Sequence, residues 1–504
     1  MANRAITRAL MLAGTSLGAI ALGTAAQAGG FFIHEQSTYF QGTSFAGAAA
    51  GGPALSSMFW NPATITQQNR GLATEIDATA IFAKTEIVPR AATAGNGADI
   101  TLLGGSGDIS TDAFVPASYY TYGWNEWLTF GVALNSPFGL NTKAGPLWAG
   151  MFYGTESDVF SLNANPTVAV KITDWLSIGV GAQVQYLKVK LHSAFPGSGS
   201  VPPFGPLLPD ILRIDGDSWD FGFTAGITLT PWAGTAIGLG YRSRIDHDIQ
   251  GDIFRPAFLV PPPPALLAVP AAFVNFEATV PLPDIATASI RQKITDAFTL
   301  MATVEWQNWS RLGTIPVTTV PAGPILGVPT SLAFEWRDGW LFSVGGEYQW
   351  TPNMAIRAGV AFERSPIDDT TRGVRLPDND RVWLSAGATL NLSNRLALEI
   401  GYSHIFAARD TTINIVPGNP TFVPALGTFI GDVNSNVDII SLALRYRFLP
   451  AAPAPGITMG CCFSMLGGAG RPAETPAFGF LKERQTCFRT CPGRRRHRSA
   501  CSGP

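Results

Sequence analysis

The sequence predicts an all-β fold: a 14-stranded antiparallel transmembrane β-barrel with an N-terminal plug, or hatch, inside its lumen. Three observations predict it. Some fourteen stretches alternate apolar and polar residues, and they are joined alternately by tight turns and long loops. Outside the N-terminus, no run of about 18 uninterrupted apolar residues is available for a spanning helix. Period two sends side chains to opposite faces of a strand. In one stretch Leu176, Ile178, Val180, Ala182 and Val184 oppose Ser177, Gly179, Gly181, Gln183 and Gln185. In the last, Ile440, Leu442, Leu444, Tyr446 and Phe448 oppose Ile439, Ser441, Ala443, Arg445 and Arg447. With no helices to cover the apolar face, lipid is the expected cover, and a closed barrel satisfies every backbone group there.

Residues 1–28 read as a signal peptide. Arg4 and Arg8 precede an apolar stretch from Ala9 to Ala26, and Ala26-Gln27-Ala28 supplies a small-x-small site, so cleavage is expected after Ala28. Export with no later stop-transfer segment points to the periplasm or beyond in a two-membrane bacterium, and the barrel reading then places the chain in the outer membrane of a Gram-negative bacterium. Residues 29–70 alternate weakly and are rich in small residues, notably Phe45 to Gly52, as suits a plug packed tightly in a lumen. In Asn61-Pro62-Ala63, Asn61 is placed to cap a short helix and Pro62 to occupy its first position.

The barrel is expected over 71–448, with strands at 72–86, 113–123, 127–136, 157–172, 175–191, 217–230, 234–249, 276–294, 297–309, 338–350, 354–364, 380–392, 395–409 and 433–448. Short turns such as Thr173-Asp174, Thr295-Asp296 and Ser393-Asn394 carry turn-forming residues and belong on the periplasmic side. Trp124, Trp127, Trp175, Trp232 and Phe298 lie in or beside these turns, where an aromatic girdle would meet lipid headgroups. The long connections, 87–112, 137–156, 192–216, 250–275, 310–337, 365–379 and 410–432, are then extracellular. Apolar, proline-rich stretches within them (Val201 to Leu208, Phe258 to Val269) fit contact with a hydrophobic ligand or lipopolysaccharide. Phe448 supplies the C-terminal aromatic that addresses barrels to the barrel assembly machinery, and the barrel is expected to act as a monomer.

Composition agrees. Glycine is abundant (54), charged residues are sparse (14%), and a mean hydropathy of +0.17 is too low for a bundle of membrane helices. The net charge of −2 hides a split: the tail 449–504 holds eight basic and two acidic residues. Without that tail and the two signal arginines, 24 basic face 34 acidic residues, which gives no reason to expect a nucleic-acid partner. All five cysteines (Cys461, Cys462, Cys487, Cys491, Cys501) also lie in the tail, and a cysteine-free body suits an oxidising periplasm. Their spacing, even with His497, does not match a paired zinc pattern, so no metal and no cofactor is expected. The tail reads as a disordered appendage or the product of a shifted reading frame.

Two blocks of residues resemble the FadL family of outer-membrane transport proteins. The first is the mature start Gly29 to Phe32, Glu35-x-Ser37, the small-residue stretch and Asn61-Pro62-Ala63. The second is Val115 to Tyr120 followed by Leu128 to Leu140. The resemblance covers residues 29–448. It implies passive transport of long-chain fatty acids or related hydrocarbons: capture on extracellular loops, passage to an apolar lumenal pocket, gating by the plug N-terminus (Gly29, Gly30, Phe31, Phe32, Ile33) and lateral release at a kink in the third strand. Gly131, Asn135, Ser136, Pro137, Phe138 and Gly139 mark that kink, since strand glycine favours a bend and proline removes a ladder donor. The sequence departs from the family at Gly51-Gly52-Pro53, where relatives often carry acidic residues, and at Thr64-Ile65. For a carboxylate head group, Arg242, Arg244 and Arg357 are the lumen-directed candidates, with Glu363 and Glu399 as competing structural partners.

Competing functions have less support. A lipid-modifying enzyme needs a histidine beside a serine and an acid. Of His34, His192, His247 and His404, only His247, in Asp246-His247-Asp248, has a charged setting, and no serine motif accompanies it, so no catalysis is expected. A non-specific diffusion porin would need an open lumen, and an adhesin reading rests on loop length alone.

Overall fold

The computed structural model describes residues 29–448, except 69, 197–209, 261–266, 321 and 324. The expected signal peptide, the tail with its cysteines and the 201–208 loop stretch lie outside the described residues. Within them the chain forms fourteen antiparallel staves, four of which are interrupted. In order they are β1 (Gly71–Thr93), β2 (Ala113–Gly123), the pair β3 (Leu128–Asn135) and β4 (Gly139–Lys143), β5 (Glu156–Lys171), β6 (Leu176–Ala194), β7 (Ile211–Leu229) and the pair β8 (Thr235–Arg242) and β9 (Asp246–Arg255). A loop hairpin of β10 (Phe258–Val260) and β11 (Leu267–Val269) precedes the pair β12 (Ala272–Pro281) and β13 (Ile285–Lys293), then β14 (Phe298–Gln307). After the loop strands β15 (Thr314–Pro316), β16 (Thr318–Val320) and β17 (Ser331–Ala333) come β18 (Gly339–Thr351), β19 (Met354–Arg364), β20 (Arg381–Asn391), the pair β21 (Leu396–Ala407) and β22 (Thr411–Ile415), and β23 (Thr428–Arg447).

Closure is made by β1 on β23, in register from Ala73↔Arg447 to Thr93↔Thr428. One bulge lies beside Pro89, where a ladder donor is missing. No sheet edge is left facing hydrocarbon at this seam, which is the condition for a β-structure in lipid. Side chains divide as the alternation requires. On β23, Ile440, Leu442 and Leu444 face outward about half exposed, while Ile439, Ser441, Ala443 and Arg445 are buried inward. Trp124, Trp127, Trp175 and Trp232 are exposed at the short-turn end, the position of a headgroup girdle.

Several strands run beyond the limits expected from sequence. β1 continues to Thr93, β7 starts at Ile211, β9 reaches Arg255 and β23 starts at Thr428. Above the membrane the outer face meets water, so the apolar half of the alternation disappears while the pairing persists. The outward residues of β9, Asp246, Asp248, Gln250 and Asp252, are exposed and polar for this reason.

Candidate functional site

Residues 29–65 are buried almost throughout and fill the lumen. They form one helical turn, Thr38–Gln41, and short 3-10 segments, the last being Pro62–Gln67. Ser37 caps the first by accepting from Phe40 N, and Asn61 caps the last by accepting from Ala63 N at 2.9 Å. So short a coil has few backbone hydrogen bonds of its own, and buried donors must find partners. The wall supplies them. Glu75 accepts from Leu55 N (2.6 Å) and Ser56 Oγ (2.5 Å), Asp77 from Thr38 N (2.7 Å), Thr303 from Gly47 N and Ser289 from Ala49 N. Where relatives are expected to carry plug acids, Gly51 and Gly52 instead adopt positive φ, and the anchoring carboxylates sit on β1.

Asn61 ties the plug to the opposite wall. Its Nδ2 donates to Ala49 O (2.7 Å), Ile227 O (2.9 Å) and Thr228 Oγ1 (3.2 Å). The wall beneath it is glycine because the plug backbone lies directly on it: a Cβ at Gly238 would overlap Ala49 O, and one at Gly240 would overlap Trp60 O.

The third stave breaks at Ser136-Pro137-Phe138, between β3 and β4. β2 pairs with β1 along its whole length but with β3 only from Ser118 to Gly123. Ala113–Ala117 therefore has no ladder partner in β3 or β4. The plug N-terminus covers the break: Ile33 N donates to Pro137 O (2.8 Å), Gly139 N donates to Phe31 O (2.9 Å), and Phe32 bridges Phe138 antiparallel. Gln36 Nε2 adds a bond to Ser136 O (2.8 Å). Upstream, Gly29 N donates to Glu363 (2.9 Å) and Gly30 N to Asp378 (3.0 Å). Gly30 has φ +63°, and a Cβ there would press on the Trp309 ring.

Directly beyond this N-terminus lies a narrow apolar cavity of about 100 Å³. Phe31 forms part of its wall and packs edge-on against Trp309 (4.7 Å between centroids), Trp336 (5.9 Å) and Phe138 (6.0 Å). Leu140 of β4, Val189 of β6, Ile249 of β9 and Leu312 continue the lining. Among the described residues, Ser157 and Arg375 are the only polar residues beside it, and neither presents a polar atom to it.

The three arginines singled out in sequence do not line this cavity. Arg357 pairs with Glu399 (2.8 Å) and Glu347 (3.3 Å) and lies over the Tyr39 ring at 4.0 Å. Arg242 donates to Gln183 and to Phe59 O (3.1 Å) and covers the Phe59 ring at 4.3 Å. Both hold the plug. Arg244 is exposed and pairs with Asp246 (3.2 Å). Gly131 lies in β3 with the Met58 methyl against it, below the break rather than at it. Arg375, which sequence reasoning missed, is the one basic residue beside the cavity among the described residues, and no polar atom of it faces the cavity.

The histidine constellation is not arranged for a relay. Ser218 Oγ (2.9 Å) and Asp220 Oδ2 (3.1 Å) share His247 Nδ1, while Nε2 faces Gln185 at 3.1 Å. Asp246 and Asp248, its sequence neighbours, point outward. This group backs a second discontinuity, where Ser218–Phe223 of β7 falls between pairings to β9 and β8. Ser243 stitches that one shut, with N–H to Phe223 O (2.9 Å) and Oγ accepting from Phe223 N (2.8 Å).

Comparison with known proteins agrees with this architecture. Residues 19–448 match the family described as outer membrane protein transport protein (OMPP1/FadL/TodX). A long-chain fatty acid transport protein of Salmonella typhi is 25% identical over 405 residues, covering 76% of this chain and 89% of the relative. That of Escherichia coli O6:H1 is 26% identical over 419 residues, covering 76% and 88%. Among solved structures, a Pseudomonas aeruginosa FadL homologue superposes with a TM-score of 0.72 at 20% identity, covering 84% of this chain and all of that one. The Ralstonia pickettii toluene transporter TbuX gives 0.60 at 16% identity, covering 82% of this chain and all of that one. These relatives are outer-membrane transporters rather than enzymes, and the chain belongs to the OMPP1/FadL/TodX family of outer-membrane proteins that transport hydrophobic compounds.

Proposed function

We propose that the chain passes a hydrophobic or amphipathic molecule into the outer membrane by a route that avoids water. The molecule is captured on apolar extracellular loops, where Leu102, Leu326 and Val423 are exposed. It enters the cavity and displaces Phe31. The N-terminal segment 29–33 then releases Pro137 O and Gly139 N, and the molecule leaves sideways between β2 and β4.

The observation that carries this reading is that one short segment is both a wall of the cavity and the cover of the break. Occupancy of the first therefore acts on the second. Among the described residues the β7 discontinuity is closed by Ser243 of the wall rather than by the plug, which is why the route is assigned to the third stave. Energetics favours a sideways exit: moving a chain from an apolar pocket into water costs about 0.8 kcal/mol per methylene, roughly 12 kcal/mol for sixteen carbons. A diffusion pore is disfavoured because the plug occupies the lumen.

Uptake of labelled oleate and of toluene by cells with and without the gene tests the proposal. Gene-dependent uptake of either is expected, and equal uptake with and without the gene would refute it. Removing residues 29–33 should impair uptake while the barrel still shifts on heating in gel electrophoresis.

A further inference from the structure

We propose that the unpaired edge of β7 at Trp219 and Phe221 is a binding site for lipopolysaccharide, held through the amide and hydroxyl groups where its acyl chains join the sugar. The site lies on the lipid face of the wall and does not depend on the transport route above.

β7 pairs with β9 over Arg213–Asp217 and with β8 over Thr224–Leu229, so on that side Ser218–Phe223 has no strand partner. Residues two apart in a strand send N–H and C=O to the same side. Phe223 bonds Ser243 there, which sets the direction for Phe221 and Trp219: each turns an N–H and a C=O into the gap. The hinge between β8 and β9 does not meet them, because it is engaged with the next stave. Arg244 N donates to Asp284 (3.2 Å), and Ile245 O accepts from Leu282 N (2.9 Å). On the lumen side His247, Ser218, Asp220 and Gln185 bond one another.

Hydrocarbon cannot satisfy an open strand edge. The outward side chains place this edge where hydrocarbon meets the outer headgroups. Along β6 they run Ile178, Val180, Ala182 and Val184, then Tyr186, Lys188 and Lys190. Tyr186 packs on Trp219 at 5.2 Å between centroids, as in a headgroup girdle. Phe221, one step deeper, is 74% exposed. Lys188 and Lys190 are faced by Asp217 and Asp215 of β7, so charge does not choose the lipid. Hydrogen bonding does. The N–H and C=O groups of the edge need both acceptors and donors. At this depth a glycerophospholipid offers ester carbonyls, which only accept. Lipopolysaccharide carries amide-linked hydroxyacyl chains, which also donate, and it forms the outer leaflet of the membrane in which this family resides.

Backbone hydrogen exchange tests the site. The full-length protein would be placed in nanodiscs of dioleoylphosphatidylglycerol with and without lipid A, the acylated anchor of lipopolysaccharide. Exchange at the Trp219 and Phe221 amides should slow at least tenfold with lipid A, while the paired amides of Ile227 and Leu229 stay unchanged. Phe221→Pro removes an edge N–H without costing a ladder bond to β6. By native mass spectrometry it should bind lipid A at least tenfold more weakly than the parent, and Phe221→Ala, which keeps the N–H, should bind within threefold. Equal exchange with and without lipid A would overturn the proposal, as would the same slowing by added phosphatidylethanolamine. So would a Phe221→Ala variant that loses as much as Phe221→Pro, since the contact would then be one of side chains alone.

Discussion

Replacing Asn61 by alanine should undock the plug without unfolding the barrel. The side chain is buried and makes three close bonds: to Ala49 O at 2.7 Å, to Ile227 O at 2.9 Å and from Ala63 N at 2.9 Å. A hydrogen bond of this kind contributes about 1 kcal/mol net, and a helix cap about the same. The sum is about 3 kcal/mol, which is more than a hundredfold in the equilibrium between docked and undocked plug at 1.4 kcal/mol per tenfold. Asn61→Ser keeps a cap acceptor but is too short to reach either Ala49 O within the plug or Ile227 O on the wall, so about 2 kcal/mol should be lost. The barrel ladders do not depend on Asn61, and heat-modifiable migration should persist. The assay is maleimide labelling of a cysteine at Ala54, which is fully buried beneath the plug fold, in a chain whose tail cysteines are serine. Labelling should accelerate at least tenfold with Asn61→Ala and less with Asn61→Ser. A rate within threefold of the parent for Asn61→Ala would refute the claim that this side chain fastens plug to wall.

The remaining predictions concern the plug floor and its charges. Gly240→Val should force the Trp60 carbonyl off the wall, and planar-bilayer conductance should rise from near zero to a steady ohmic level; a silent variant would contradict the close packing. His34 should make docking of the N-terminus pH-dependent. Burial opposes its charge, but Glu305 at 2.9 Å and Glu363 outweigh that and raise its pKa to about 8. Its contribution is therefore full below about pH 6.5, the free-histidine value, and is lost as pH rises through 8. Burial raises Glu35 to about 7, so its contribution is present below the usual carboxyl range and is lost as pH rises through 7. Both slopes have the same sign. Hydrogen-exchange protection of residues 30–36, corrected for intrinsic exchange, should fall at least tenfold between pH 6 and pH 9, and constant protection would contradict it.

The staves were legible because lipid imposes one rule on every outward residue, and that rule writes period two into the sequence. β23 is the clear case: Ile440, Leu442 and Leu444 are where the alternation puts them. The strand tops were not legible, since Asp246 and Asp248 meet water and carry no apolar signal. The break at Pro137 was marked by proline and glycine, but its cover was not, because Ile33 and Pro137 meet across 104 residues of chain. Alternation correctly sent Arg242 and Arg357 into the lumen. Glu399, which the sequence offers as a structural partner, engages Arg357, but alternation had no means of showing that Gln183 arrives from another stave to engage Arg242. Arg375 was missed for the converse reason: its neighbours, Glu156, Ser157 and His192, are distant in sequence. The one local hint was an arginine set in Val374-Arg375-Leu376-Pro377, an apolar stretch of a polar loop.

The coupling of cavity to wall can be tested by locking the segment that joins them. Phe32 and Phe138 face each other as a non-hydrogen-bonded antiparallel pair, with Ile33 N to Pro137 O on one side and Gly139 N to Phe31 O on the other. Such pairs bring Cα atoms to about 4.5 Å, close enough for a disulfide. In a chain with Phe32→Cys and Phe138→Cys and with serine at the tail cysteines, uptake of labelled oleate should be abolished when oxidised and return on reduction. Equal uptake in the two redox states would contradict the account.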